Sequence, residues 1–145
     1  MCKDSVQKWL RDLSEDMQCN VLIPEYPGYQ LDFAQGITTT EQVRKQTYRV
    51  VTYLTNDLGF KHSDIVLAGY SIGSAVAADV AAWMGRRPPA ALLLIAAFYS
   101  MPRAIGTMPL ACKCLAHLIS ADHYHTNEDL EKIECPLMLM HGTRD

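Results

Sequence analysis

The stretch Leu67-Ala68-Gly69-Tyr70-Ser71-Ile72-Gly73 constrains this chain more than any other. Ahead of it, Asp64-Ile65-Val66-Leu67 is a short apolar, β-branched run that reads as a buried strand. Behind it, Ser74 to Met84 is Ala-rich and favours helix. A strand and a helix joined only by G-x-S-x-G must reverse the backbone within a few residues. Gly69 and Gly73 flank that bend, where a Cβ on either is expected to crowd the strand against the helix. The bend lifts the Ser71 hydroxyl above the sheet edge. It also leaves the Ile72 N–H at a helix N-terminus, able to donate to a developing oxyanion. Ser71 is therefore the candidate nucleophile, Ile72 the candidate backbone donor, and Gly69 and Gly73 the elbow glycines. The string alone is a weak signal; the strand before it and the helix after it give it weight.

The rest of the chain alternates in the same way. Val6, Trp9, Leu10, Leu13 and Met17 recur at spacings of three and four, the core-facing side of a helix over about residues 4–18, with Asp4 or Ser5 as its N-cap. Residues 20–26 read as a strand, with Pro24 thinning its ladder on one side. Thr38 and Glu41 fit a capping box, followed by a helix with Val43, Thr47, Val50, Val51 and Leu54 on its buried face and Leu58-Gly59 at its end. The elbow helix stops at Gly85 before Pro88-Pro89. Ala90 to Phe98 is another buried strand, and Leu137 to His141 a fourth. Between them lie an irregular, lid-like segment over 99–126, whose best helical piece is about 108–120, and a short helix from Asn127. Four apolar strands alternating with helices define an α/β fold, a mostly parallel sheet with helices on both faces.

Composition narrows the function. A chain of 145 residues is one domain by length. Net charge is −3 with no basic stripe, which argues against a nucleic-acid partner. Cys2, Cys19, Cys112, Cys114 and Cys135 are odd in number and lack C-x-x-C spacing, so neither a disulfide framework nor a zinc site is indicated, and no metal is expected. Free thiols and the absence of a signal-peptide pattern suggest the cytoplasm, with binding at a membrane surface left open. The longest apolar run, Ala90 to Tyr99, is well short of the ~20 residues a transmembrane helix needs.

Three places resemble the α/β-hydrolase superfamily: Gly69-Tyr70-Ser71-Ile72-Gly73, Glu25-Tyr26-Pro27-Gly28-Tyr29, and His141-Gly142-Thr143-Arg144-Asp145. The order Ser then Asp is also that of the superfamily. The nearest resemblance is to the serine-hydrolase branch with aminopeptidase-like members and α/β-hydrolase-domain depalmitoylases. It implies Ser71 as nucleophile, Asp145 as triad acid and the Ile72 N–H as half of the oxyanion hole, with no cofactor. Tyr26 and Tyr29 would pack over the strand end beside the site. The substrate implied is a small molecule or an acylated protein.

That resemblance also implies a partial fold of about four strands. The superfamily supplies its histidine beyond the acid and its second oxyanion donor ahead of the first helix. Neither N-terminal strands nor a His-bearing C-terminal segment matches here, so these 145 residues alone are expected to be inactive. In the superfamily a further strand lies between those that here are 20–26 and 64–70. Either that slot is empty or the two strands pair directly. An empty slot leaves backbone groups whose burial unpaired costs about 1–3 kcal/mol each, so marginal stability is expected.

A base must reach the serine hydroxyl at about 2.6–3.2 Å. His62 belongs to the opposite sheet end and His141 reads as a structural hydrogen-bonder, which leaves His117, His123 and His125 as surrogate bases or solvated loop residues; His123-x-His125 also invites a metal reading, but two ligands without a third are a weak signal. Three readings compete. One is a serine hydrolase acting on an ester, thioester or amide through an acyl-Ser71 intermediate. Another is a non-catalytic binding or regulatory module that associates through an open strand edge. The third, an acyltransferase of unrelated fold, is disfavoured by the position of the acid.

Overall fold

The computed structural model describes residues 3–28, 39–100, 103–104 and 124–143. Helix α1 spans Lys3–Met17. It begins one residue earlier than expected, so Asp4 and Ser5 lie in its first turn rather than at its cap. The chain leaves the helix through Gln18 at φ 51°, and the Ser14 hydroxyl donates to the Cys19 carbonyl. Trp9, expected in the core, is 57% exposed, and Met17 is also exposed. The periodicity of α1 is real, but the described core does not use its apolar side.

Residues 20–26 form no strand. Among the described residues the sheet therefore has three of the four expected strands, and segment 20–26 does not pair with the elbow strand. Composition alone had suggested a strand, but a ladder needs a neighbour. Pro24 cannot donate, and Leu22 and Ile23 are exposed rather than sandwiched.

Helix α2 spans Thr40–Thr52. Its capping box lies one residue later than Thr38/Glu41: the Gln42 N–H donates to the Thr39 hydroxyl at 3.2 Å, and the Thr39 N–H to the Gln42 side chain at 2.8 Å. Val43 and Val51 are buried as expected. A π-helical turn at Tyr53–Asp57 extends the helix, and Gly59 takes φ 74° just beyond it. After a short 3-10 turn at His62–Asp64, strand β1 runs Val66–Tyr70 and leads into α3, Ile72–Met84. Strand β2 is Ala91–Ile95, α4 is Thr126–Leu130 and β3 is Leu137–Met140.

The sheet is parallel in the order β1-β2-β3, with Leu67 opposite Leu92 and Leu92 opposite Leu137. Helix α3 packs on the face carrying Leu67, Leu92 and Leu94 through Ala77, Ala78 and Ala81, with Leu130 and Ile133 beside them. Valines 43 and 51 of α2 meet Ala75, Val76 and Val80 on the other flank of α3. Alanines on the sheet-facing side let α3 lie close, and burial on two sides explains why α3 is apolar nearly all round. Helices α2, α3 and α4 thus stack on one face. Helices on both faces were expected; among the described residues the helix that packs on the sheet is α3, and Val66, Tyr70, Met138 and Met140 on the other face are exposed. The lid-like segment, including the helix expected at 108–120, falls almost entirely outside the described residues.

Leu92 and Leu94 are fully buried, so Leu92→Ala or Leu94→Ala is expected to lower stability by about 2–5 kcal/mol in urea titrations. Trp9→Ala should change it by no more than about 0.5 kcal/mol, as is usual for exposed positions.

Candidate active site

The bend between β1 and α3 places Ser71 at the C-terminal rim of the sheet. Its backbone sits at φ 52°, ψ −119°, a region L-residues avoid at a cost of about 1–3 kcal/mol. Hydrogen bonds on both sides hold it there. The Ser71 N–H donates to the Ile95 carbonyl at 2.9 Å, and the Ser71 carbonyl accepts from the Ser74 N–H at 2.9 Å and from the Ser74 hydroxyl. The Ser71 side chain is exposed and makes no capping bond to α3. Ile72 is the first residue of α3, so its N–H has no partner within the helix and lies where the helix dipole favours negative charge.

The two elbow glycines prove unequal. An ideal Cβ at Gly69 would stand 2.6 Å from the Ser74 Cα and closer still to the Gly73 carbonyl, all backbone that cannot yield. At Gly73 the nearest group is the Tyr26 hydroxyl, 3.7 Å away, an ordinary contact. The expected crowding therefore holds for Gly69 and not for Gly73, whose position is already helical.

Tyr26 packs against the core cluster shared by α2 and α3. Tyr29, Asp145, His117 and His123 lie outside the described residues. The remaining histidines are placed away from Ser71. His62 precedes β1, at the opposite rim, about 17 Å along a five-residue strand. His125 faces Asp79 and Trp83, 8 and 12 residues along α3 from Ser71, which is about 12–18 Å at the helical rise. His141 shares the rim of Ser71, but two strands over, about 10 Å away. Its Nε2 lies 3.1 Å from the Ala97 carbonyl and its Nδ1 3.2 Å from the Gly142 carbonyl, so the ring ties the ends of β2 and β3 together. No described histidine hydrogen-bonds Ser71.

One polar group behind the elbow went unread in the sequence. Asp79, only 6% exposed, accepts from Arg44 Nε at 2.8 Å and from the Tyr48 hydroxyl at 3.2 Å. The pair holds α2 against the elbow helix, and Tyr48 stacks on Trp83 with ring centres 4.3 Å apart. Burial, then the charge of Asp79, keeps the Tyr48 and Tyr124 phenols well above their ordinary range, so both remain proton donors. The available signal was an acid in an otherwise apolar helix, with Arg44 and Tyr48 one turn apart on the preceding one. Nearby Asp129 is also held above the usual carboxylate range, first by burial and then by Asp79, with Lys132 pulling the other way. Burial raises the Cys135 thiol as well, which disfavours its thiolate.

Among the described residues no group of His, Cys, Asp or Glu could hold a metal ion, and no helix is long and apolar enough to cross a membrane.

The chain aligns with an alpha-beta hydrolase from Vibrio vulnificus of known crystal structure, with TM-score 0.58 and 23% identity over 70% of this chain and 39% of that one. The alpha/beta hydrolase domain-containing protein aho-3 of Caenorhabditis elegans is 29% identical over 143 residues, 94% of this chain and 38% of its own. A protein of Acanthamoeba polyphaga mimivirus whose name also carries the words alpha/beta hydrolase is 26% identical over 141 residues, 97% of this chain and 50% of its own. The chain thus spans half or less of the length of these relatives. Fold and relatives together define an α/β-hydrolase-like protein. Residues 1–85 match the family model described as Chlamydia CHLPS protein (DUF818), and the chain belongs to that family.

Gly69→Ala is expected to abolish cooperative folding or lower the melting temperature by more than 10 °C, several kcal/mol for a domain this size. Gly73→Ala should raise stability by up to about 1 kcal/mol through helix propensity. Thermal melts of the two variants separate these outcomes. For Asp129 the folded state holds its proton more tightly than the unfolded state, whose reference value is 3.8. Stability therefore falls as pH rises through the window above 3.8 and remains lower beyond it. Asp129→Asn removes that loss, so its melting temperature should exceed wild type at pH 7, with the difference shrinking as the pH approaches about 4.

Proposed function

We propose that the chain carries the nucleophile of a serine hydrolase that cleaves an ester, thioester or amide. The observation that carries this reading is the Ser71 backbone at φ 52°, ψ −119°, held between β1 and α3 with its side chain exposed. Such a conformation is costly, and a nucleophile elbow is a known use for it. In the proposed reaction the Ser71 Oγ attacks the substrate carbonyl carbon and its proton passes to a base. The resulting oxyanion accepts a hydrogen bond from the Ile72 N–H. The carbon–heteroatom bond then breaks, the leaving group takes the proton, and water releases the acyl group from Ser71.

Asp145 is the proposed acid, matched by its place in His141-Gly142-Thr143-Arg144-Asp145. With His62, His125 and His141 all placed away from Ser71, the base comes from outside the described residues. Removing a triad member typically costs several orders of magnitude, so activity depends on that group. The resemblance of its motifs to aminopeptidase-like and depalmitoylase-like hydrolases suggests acyl thioesters or lipid esters as substrates. The exposed Tyr70 and Ile72, on either side of Ser71 in the chain, suit an apolar acyl group.

A second reading, a non-catalytic module that binds a partner strand, is favoured by the exposed edge strand Leu137–Met140. A fluorophosphonate probe distinguishes the two. In the full-length product of the gene it should label wild type and not Ser71→Ala. Absence of labelling in folded wild type overturns the hydrolase reading.

A further inference from the structure

Ser74 lies just past the G-x-S-x-G motif, and the motif does not account for it. It is fully buried in the first turn of α3. Its N–H donates to the Ser71 carbonyl at 2.9 Å, and its hydroxyl donates to the same oxygen. A hydroxyl on a helix often bonds back to a carbonyl three or four residues earlier, which spares it from being left unpaired. Thr47 and Thr52 do this in α2, where the acceptors, the Val43 and Tyr48 carbonyls, belong to regular helix. Ser74 differs in its acceptor. The Ser71 carbonyl belongs to the residue ahead of the helix, at φ 52° and ψ −119°.

That carbonyl is one end of a rigid unit. A peptide group is planar, so the Ser71 C=O and the Ile72 N–H turn together about the ψ angle of Ser71, and in a trans peptide they point in opposite directions. Whatever fixes the oxygen therefore fixes the aim of the Ile72 N–H. Two donors from Ser74 engage both lone pairs of that oxygen and resist rotation more than one donor can. The donors cannot drift either: the Ser74 Cα lies against Gly69 of β1, where an ideal Cβ would come within 2.6 Å of it. The peptide on the other side of Ser71 is anchored separately, by the Ser71 N–H on the Ile95 carbonyl. A hydrogen bond accepted by a carbonyl also polarises its peptide and strengthens the N–H as a donor, by roughly 10–30%.

We infer that Ser74 is a positioning residue for the oxyanion donor: its hydroxyl, bound to the Ser71 carbonyl, holds the shared peptide so that the Ile72 N–H faces the charge developing on a substrate oxygen. Being buried, Ser74 touches no substrate and acts only through the backbone. This role rests on the hydrolase reading of Ser71.

The test measures fluorophosphonate labelling in the full-length product of the gene, with the maximal rate constant separated from KI and folding checked by thermal melts. Attack by Ser71 builds negative charge on the phosphoryl oxygen, so the maximal rate constant senses the oxyanion donor. Removing such a donor outright costs about 10²–10³ in rate, and misaiming it costs less. Ser74→Ala is expected to lower the maximal rate constant about tenfold and to change KI by less than about twofold. Ser74→Cys keeps the volume but offers only a weak S–H donor, so it should resemble Ser74→Ala. Ser74→Thr keeps a hydroxyl suited to the same bond and should stay within about threefold of wild type. Val80→Ala opens a cavity in the buried side of the same helix, two turns from Ser71; it should lower the melting temperature at least as much as Ser74→Ala yet leave the rate within about twofold. With wild type labelled, a wild-type rate in Ser74→Ala or Ser74→Cys overturns the role of Ser74 and leaves the hydrolase reading intact. A folded Ser74→Thr as slow as Ser74→Ala, or an equal loss of rate in Val80→Ala, does the same. No labelling of folded wild type removes the hydrolase reading, and the role of Ser74 with it.

Discussion

The first turn of α3 passes so close over the end of β1 that position 69 has no room for a side chain. Everything downstream takes its geometry from that crossing. It forces Ser71 into a conformation that serine would not otherwise adopt, and the bonds to Ile95 and Ser74 prevent it from relaxing. It sets the angle at which α3 leaves the sheet. The small residues Ala77, Ala78 and Ala81 then settle on Leu92 and Leu94. A helix with larger side chains on that side could not approach the sheet at this distance, and the bend could not close. The strain at Ser71 is thus sustained by packing several residues away.

The elements most legible in the sequence were those whose local and tertiary preferences agree. The elbow strand and helix, β3 and α2 are found close to their expected limits, because each combines a clear apolar pattern with its own punctuation at Gly59, Gly85 or Pro136, while β2 begins as expected after Pro88-Pro89 but ends at Ile95, three residues early. The errors share a physical origin. Residues 20–26 have strand composition, yet a strand exists only where a neighbour supplies its ladder, and that depends on residues remote in sequence. Trp9 has core spacing, yet periodicity reveals an apolar side without showing what covers it. The capping box at Thr39 rather than Thr38 is a one-residue choice between adjacent threonines that both fit the pattern.

The site was legible to a different degree. A five-residue motif encodes the bend, because the bend is local. The partners of Ser71 are not local. His141 illustrates the limit: its place at the strand end was readable, but only coordinates show that its ring bridges the Ala97 and Gly142 carbonyls instead of approaching the serine. Asp79 is the opposite case. An acid in an alanine-rich helix is an anomaly of the sequence, but its meaning needed Arg44 and Tyr48, more than 30 residues away, to be brought beside it.

The outer edge of β3 has a consequence of its own. The Pro136 carbonyl accepts from the Leu92 N–H and the Met140 carbonyl from the Ala96 N–H, so residues 136, 138 and 140 turn their backbone groups toward β2. Leu137 and Leu139 turn theirs outward. In heavy water this strand should behave as a comb: the amides of Met138 and Met140 would keep their protons while those of Leu137 and Leu139 exchanged within the dead time, and only a neighbouring strand seated along the edge would even out the pattern.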